Sequence, residues 1–273
     1  MALVLGGSLT AQAGSAIATR LFAFVAPPGA TALRLLGATA VLALMARGRV
    51  RSVPRHAVGA LVRLGVASAA MNLCFYLAID RIPLGPAVTI EFLGPIGVAV
   101  AAAHRRRDIA FAGAALLGVF LVGHGELGGA GAAGIGFALA AGALWACYLL
   151  FARRVGELGL GLPGLTVALA TGAVVTAPLL VAWHPSPPHI GVAVALGLAA
   201  GTLSNALCYT LEIAALRRAS ITVVGVLLAT DPGVAALIGG VVLHQPLDVA
   251  QVGGILLVMV AGAGVVLGPH LRD

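Results

Sequence analysis

Runs of apolar residues, each about as long as a bilayer core is thick, follow one another along nearly the whole chain, separated by short polar or arginine-bearing links. A helix rising 1.5 Å per residue needs about 20 such residues to cross a hydrocarbon core of about 30 Å. The pattern predicts an all-α, polytopic membrane protein with ten transmembrane helices: Ala2–Val25, Ala30–Ala46, Ala57–Ile79, Leu84–Ala103, Ile109–Gly123, Gly134–Ala152, Pro163–Trp183, Ile190–Leu216, Ile221–Leu243 and Val249–Leu267. The second and fifth runs are short, and the links leave no room between spans for a soluble domain.

Two runs carry the same interruption. Thr89-Ile90-Glu91-Phe92-Leu93-Gly94-Pro95 and Leu228-Ala229-Thr230-Asp231-Pro232 each set a carboxylate beside a proline. Pro95 has no N–H to give the Glu91 carbonyl, nor Pro232 to give Leu228, and lipid offers no substitute donor. Pro95 and Pro232 are therefore read as helix breaks that face protein or a watery cavity. Paired breaks at corresponding places in two halves point to a transporter binding site.

Aligning the two prolines sets Leu77-Ala78-Ile79-Asp80-Arg81 against Ala214-Ala215-Leu216-Arg217-Arg218, and Val98-Ala99 against Ala235-Ala236. A further shift of three residues matches Asp108-x4-Gly113 to Asp248-x4-Gly253. The chain thus reads as two five-helix repeats, 1–124 and 134–273, joined by a glycine-rich linker at 125–133. Five is odd, so the second repeat is inverted relative to the first.

Composition agrees with the pattern: 60% of the 273 residues are hydrophobic, 9% are charged, and the mean hydropathy is +1.09. The net charge of +7 invites a nucleic-acid reading, but the placement of the sixteen basic residues, all arginine, argues against it. With the N-terminus inside, twelve fall in inner links (Arg47, Arg49, Arg51, Arg55, Arg105, Arg106, Arg107, Arg153, Arg154, Arg217, Arg218 and Arg272) and one, Arg81, in an outer link. That asymmetry predicts both termini cytoplasmic, with anionic lipid rather than nucleic acid as the partner. The apolar start with Ala11-Gln12-Ala13 imitates a signal peptide, but no basic residue precedes it and the run continues to Val25, so a first span is expected. Cys74, Cys147 and Cys208 are dispersed inside spans and predict neither disulfide nor metal site.

Charges inside spans need an explanation, because each costs about 2.5–3.5 kcal/mol at a span centre on insertion scales. By helical rise, Glu91 lies about 10 Å and Arg34 about 6 Å below the outer face, close enough in level to pair. Arg63 and Glu212 form a similar pair near the inner face, and Arg20 can snorkel to the outer one. Asp231 lies about 15 Å deep, with no arginine at its level by this reckoning, and is the candidate proton carrier. Asn72 with Tyr76, and Asn205 with Tyr209, sit one turn apart on the third and eighth spans, either as hydrogen-bonding cavity wall or as helix-to-helix packing. Trp145 and Tyr148 leave the same two readings open.

The stretch Tyr76-Leu-Ala-Ile-Asp-Arg-Ile-Pro-Leu-Gly-Pro-Ala-Val-Thr-Ile-Glu-Phe-Leu-Gly-Pro95, then Arg105-Arg-Arg-Asp108 and Leu211-Glu212-Ile-Ala-Ala-Leu-Arg-Arg218, resembles the EamA-type drug/metabolite transporters, nearest the threonine/homoserine exporter branch. The resemblance implies ten helices in two inverted repeats, a bacterial inner-membrane location, and export of small metabolites driven by proton exchange. Members commonly carry Glu-Pro in the ninth helix, where this chain has Asp231-Pro232, one methylene shorter.

Together these features predict a proton-coupled exporter of amino acids or related metabolites, with no cofactor. Glu91, Asp231, Arg34, Asn72, Tyr76, Asn205, Tyr209 and Glu212 are the substrate- and ion-binding candidates. The alternatives are a broad drug or organic-cation exporter, which an arginine-poor cavity favours, and a non-transporting membrane scaffold. An intramembrane enzyme is disfavoured, since no span contains His-Glu-x-x-His, Gly-x-Ser-x-Gly or Gly-x-Gly-Asp. A homodimer is compatible with the sequence, which leaves oligomeric state open.

Overall fold

The structure is a computed structural model and describes residues 2–46, 49, 53–102, 106–124, 129–182, 189–211 and 227–267. The described residues form helices and short connections, with no strand among them. In chain order the α-helices are α1 (Ala2–Leu21), α2 (Pro27–Ala46), α3 (Arg55–Ile79), α4 (Leu84–Glu91), α5 (Leu93–Ala102), α6 (Arg106–Gly123), α7 (Gly129–Glu157), α8 (Gly161–Thr176), α9 (Ile190–Gly201), α10 (Asp231–Val242) and α11 (Val249–Leu267).

Among the described residues, six helices are long and apolar enough to cross a membrane: Pro27–Ala46, Arg55–Ile79, Gly129–Glu157, Gly161–Val181, Ile190–Leu211 and Val249–Leu267. Three shorter apolar helices accompany them, Leu84–Val98, Ile109–Gly123 and Asp231–Val242. α1 is 20 residues long, but Ser8, Thr10, Gln12 and Ser15 dilute its apolar content. The chain is a multi-span membrane protein. Its outer surface is greasy: Leu116, Leu117 and Phe120 on α6, Leu237 and Val241 on α10, and Val252, Leu256 and Val260 on α11 are all exposed. Water would penalise such a belt, whereas lipid tails match it.

Several boundaries depart from the apolar runs for local reasons. α2 starts at Pro27, three residues before the run, because proline suits the first helical turn. α8 tightens into a 3₁₀ segment, Ala177–Ala182, where Pro178 cannot continue the α-helical ladder. α9 runs into a π segment, Thr202–Leu207. The run from Leu84 divides at Phe92 into α4 and α5, and α10 begins at Asp231 after a turn at Ala229 and Thr230. Pro95 and Pro232 each sit in the first turn of the half-helix that follows, where a missing N–H breaks no ladder bond within that half-helix.

α3 packs along α7 and α8, while α9 packs against α1 and α2. α6 lies against α11, α4 against α10, and α2 against α8. The end of α10 is tied to α4 and to α1. The Gln245 side-chain oxygen accepts from the Leu84 N–H at 3.0 Å, and Arg20 Nη2 donates to the Val242 carbonyl at 3.2 Å. The α4–α5 break is held against α7 by backbone contact. A Cβ on Gly142 would sit 2.7 Å from the Glu91 carbonyl oxygen, the group Pro95 leaves without its usual donor, and a Cβ on Gly94 would collide with the Gly142 carbonyl. In lipid, where apolar burial gives helices no net attraction, such close approach of small residues drives association.

This contact yields a test with an internal control. Gly142→Val should lower the thermal stability of the detergent-purified protein by about 1–3 kcal/mol, the range for overpacking. Gly97→Val, on the same broken segment but with open space around it, should stay within about 0.5 kcal/mol of the parent. Equal effects at the two positions would mean that the α7 contact does not hold the break.

Candidate functional site

The site assembles around Arg34, which α2 carries into the protein interior. Its side chain is 7% exposed, and Nε donates to Asn205 Oδ1 at 2.7 Å. The guanidinium lies over the Tyr76 ring, 5.1 Å from the centroid, so a π face and an amide oxygen replace part of the water an arginine would otherwise hold. Tyr76 is fully buried and fixed by an edge-to-face contact with Phe22 at 5.5 Å.

Asn205 reaches Arg34 because the helix changes pitch just beyond α9. Thr202–Leu207 is a π segment, and Asn205 lies within it at 1% exposure. Single π turns interrupt the α ladder and are frequent at functional sites. Just before it, Gly201 presses on the backbone of α2, where a Cβ would collide with the Arg34 carbonyl and stand 2.8 Å from the Ala38 nitrogen. Only glycine brings the two helices that close, and the closeness lets a short asparagine side chain meet Arg34.

The two acids come from the two helix breaks. Glu91 closes α4 and Asp231 opens α10, at 8% and 9% exposure. Glu91 lies within Coulombic reach of Arg34 and of Asp231. An arginine, two carboxyl groups, a tyrosine hydroxyl and an amide thus occupy one buried region. Such a set offers a cation to a carboxylate and acids to an ammonium or a proton. Asp231 at the head of its half-helix also sits at the positive end of that helix dipole.

Other candidates fall elsewhere. The Asn72 amide nitrogen folds back along its own helix to the Ser68 carbonyl at 2.7 Å. The Tyr209 ring packs beside an apolar cluster that includes Leu35, Ala38, Ala69 and Leu169. Trp145 stands edge-on to Phe92, the residue at the α4–α5 break, with centroids 5.8 Å apart. Arg63 is exposed on α3, and its expected partner Glu212 lies outside the described residues. Arg20 caps the end of α10 as described above. An open groove of about 440 Å³ between α5 and α7, lined by Gly94, Gly97, Val98, Gly142, Ala143 and Ala146 among others, contains no charged residue. It does not suit a polar ligand.

Sequence reasoning missed two side chains on α1. Ser8 and Gln12 are 2% and 6% exposed, and neither Ser8 Oγ nor Gln12 Oε1 has a hydrogen-bond partner. Arg34 Nη1 and the Tyr76 hydroxyl share that condition. The signal was present as polar residues at helical spacing, Ser8, Gln12 and Ser15, in an otherwise apolar run.

A lipid-facing helical bundle with a buried charge cluster at paired helix breaks is the architecture of a membrane transporter. The sequence profile of the EamA-like transporter family matches residues 132–267. The chain is 34% identical over 267 residues to the threonine/homoserine exporter RhtA of Salmonella typhimurium, covering 93% of this chain and 86% of that protein. It is likewise 34% identical over 272 residues to RhtA of Escherichia coli K12. An uncharacterized transporter of Synechocystis, sll1319, is 28% identical over 197 residues, 67% of this chain and 59% of that one. The chain therefore belongs to the EamA-like transporter family, whose named members here are transporters and not enzymes. A crystal structure sharing 19% identity matches the fold with a TM-score of 0.68, over 100% of this chain and 99% of the other.

The Arg34–Asn205 bond is open to a double-mutant cycle. A hydrogen bond to a charged group contributes about 1.5–3 kcal/mol. Arg34→Ala and Asn205→Ala should each lower thermal stability, and the double variant should lose less than the sum by about that amount. Strict additivity would mean that the two side chains do not hold each other.

Proposed function

We propose that this chain is a secondary active exporter of amino acids of the threonine and homoserine kind, located in the bacterial inner membrane and driven by protons. The observation that carries the reading is the joint burial of Arg34 with Glu91 and Asp231, the two acids at the helix breaks. An amino acid is a zwitterion, and this set offers Arg34 to its carboxylate and the acids to its ammonium. The curated relatives named above export threonine and homoserine by their names. A broad organic-cation carrier is the weaker reading, because an arginine beside the acids repels a cation.

The proposal includes ten spans in two inverted repeats, with both termini cytoplasmic. Exchanging α1 with α7, α2 with α8, α3 with α9, α4–α5 with α10, and α6 with α11 turns one packed pair into another. The contact of α3 with α7 becomes that of α9 with α1, and α3 with α8 becomes α9 with α2. The contacts α2–α8, α4–α10 and α6–α11 map onto themselves. The arginine bias of the inner links supports the orientation. The drive is a gradient rather than ATP bound by this chain, since a phosphate-binding loop needs a lysine and the chain has none.

Coupling follows from competition. A proton and a substrate ammonium both neutralise the same acids, so binding one displaces the other as the site opens to each side in turn. Asp231 is the coupling residue in this scheme, at the start of a half-helix and in reach of Glu91.

Purified protein in liposomes with an imposed pH difference tests this directly. The parent should accumulate labelled threonine or homoserine against its gradient. Asp231→Asn should retain exchange of substrate but lose pH-driven accumulation. Accumulation that persists in Asp231→Asn would remove Asp231 as the coupling site.

A further inference from the structure

Ser8 and Gln12, both on α1, are buried polar side chains with unpartnered atoms that the charge cluster does not use. Their place follows from two contacts that tie α1 to the α10 segment. Val4 packs with Leu227 and Leu228 near one end, and Arg20 bonds to the Val242 carbonyl at the other. The two stretches therefore run parallel. Ser8 is four residues on from Val4, and Asp231 four on from Leu227, so Ser8 and Asp231 share a level. Gln12 stands one turn further out, about 6 Å away.

Direction follows from helical rotation of about 100° per residue. Counted round from Val4, Ser8 lies at about 40°, Gln12 at about 80° and Arg20 at about 160°. Both side chains thus occupy the arc between the two contacts with the α10 segment. Gly14, about 80° the other way, is pressed against Ser204 and Ala200 on the opposite flank. Ser8 and Gln12 therefore face the segment that carries Asp231, at and just beyond that acid.

We infer that Ser8 and Gln12 form the side-chain subsite of the transporter and read a hydroxyl group on the substrate. This rests on the reading of the chain as an amino acid exporter. Neither residue is charged, so neither matches the ammonium or the carboxylate, which the acids and Arg34 serve. A serine hydroxyl donates and accepts, and the Gln12 amide oxygen accepts. A substrate hydroxyl, itself donor and acceptor, satisfies both at once. In a hydroxylated amino acid that hydroxyl is two or three bonds from the carbon bearing the ammonium, so its reader has to flank the acid. Ser8 and Gln12 do. An analogue with a methyl group in place of the hydroxyl leaves both buried atoms without a partner, and sites of this kind reject such analogues strongly.

The test compares two nearly isosteric pairs in proteoliposomes of the full chain: L-threonine against L-valine, and L-homoserine against L-norvaline. The parent should prefer the hydroxylated member of each pair by roughly tenfold or more. Gln12→Met, which keeps length and removes the amide, and Ser8→Ala should each cut that preference at least threefold. The cut should come from loss on the hydroxylated member, with valine and norvaline transport unchanged or raised. Elution as a single species in size-exclusion chromatography establishes that each variant is folded, and either folded variant alone decides the question. A preference equal to that of the parent in the folded variants, or a parent that does not discriminate within the pairs, overturns this inference alone. A parent that carries none of the four amino acids overturns the amino-acid reading beneath it.

Discussion

Lipid supplies no hydrogen bonds, and the rest of this structure depends on that constraint. A proline inside a span, or a charge inside a span, is stable only if the protein provides what water would have provided. The chain sets a proline and an acid together twice and solves both problems in the same places. Each span divides, the proline falls in the first turn of the following half-helix, and the acid stands at the junction. The carbonyl left over at Glu91 is pressed against Gly142 of α7. Placing the acids at the junctions puts them where proline removes a backbone donor from the helical ladder, and so where a ligand has most to offer.

Arg34 gives this arrangement its chemical character. Without it the two acids would form a cation site. With it, the region presents both signs within a few side chains, held by an amide from the π segment and by the Tyr76 ring. The apolar belt of α6, α10 and α11 keeps that polarity inside. Small residues on α7 and α9 bring the backbones close enough for short polar side chains to meet across helices.

Much of the fold was legible in the chain because the bilayer imposes a length on every span. The runs from Ala57, Gly134, Ile190 and Val249 appear as helices that start at Arg55, Gly129, Ile190 and Val249. The breaks were legible because proline has one physical effect wherever it occurs. The α8 boundary was equally available in Pro178, but a long apolar run conceals a change from α to 3₁₀ pitch. The partner of Arg34 was not legible. Asn205 lies 171 residues away, and its aim depends on a π segment that leaves no mark in composition. Depth counting brought Arg34 near Glu91 in level, and the structure puts Glu91 in its field while giving its Nε to Asn205. Ser8 and Gln12 were passed over because an uncharged polar residue barely disturbs an apolar average, although their four-residue spacing marks one helix face.

The central claim is that one buried site holds both ends of a zwitterion. Calorimetric titration of the purified protein with threonine, with its carboxylate reduced to an alcohol (threoninol), and with its amine acetylated (N-acetylthreonine) tests it most directly. The account predicts that threonine binds and that each analogue loses at least tenfold in affinity, the equivalent of about 1.4 kcal/mol. Arg34→Gln should erase the penalty for losing the carboxylate, and Glu91→Gln the penalty for losing the amine. Threoninol binding as tightly as threonine to the parent protein would contradict the account, because Arg34 would then not be reading the carboxylate.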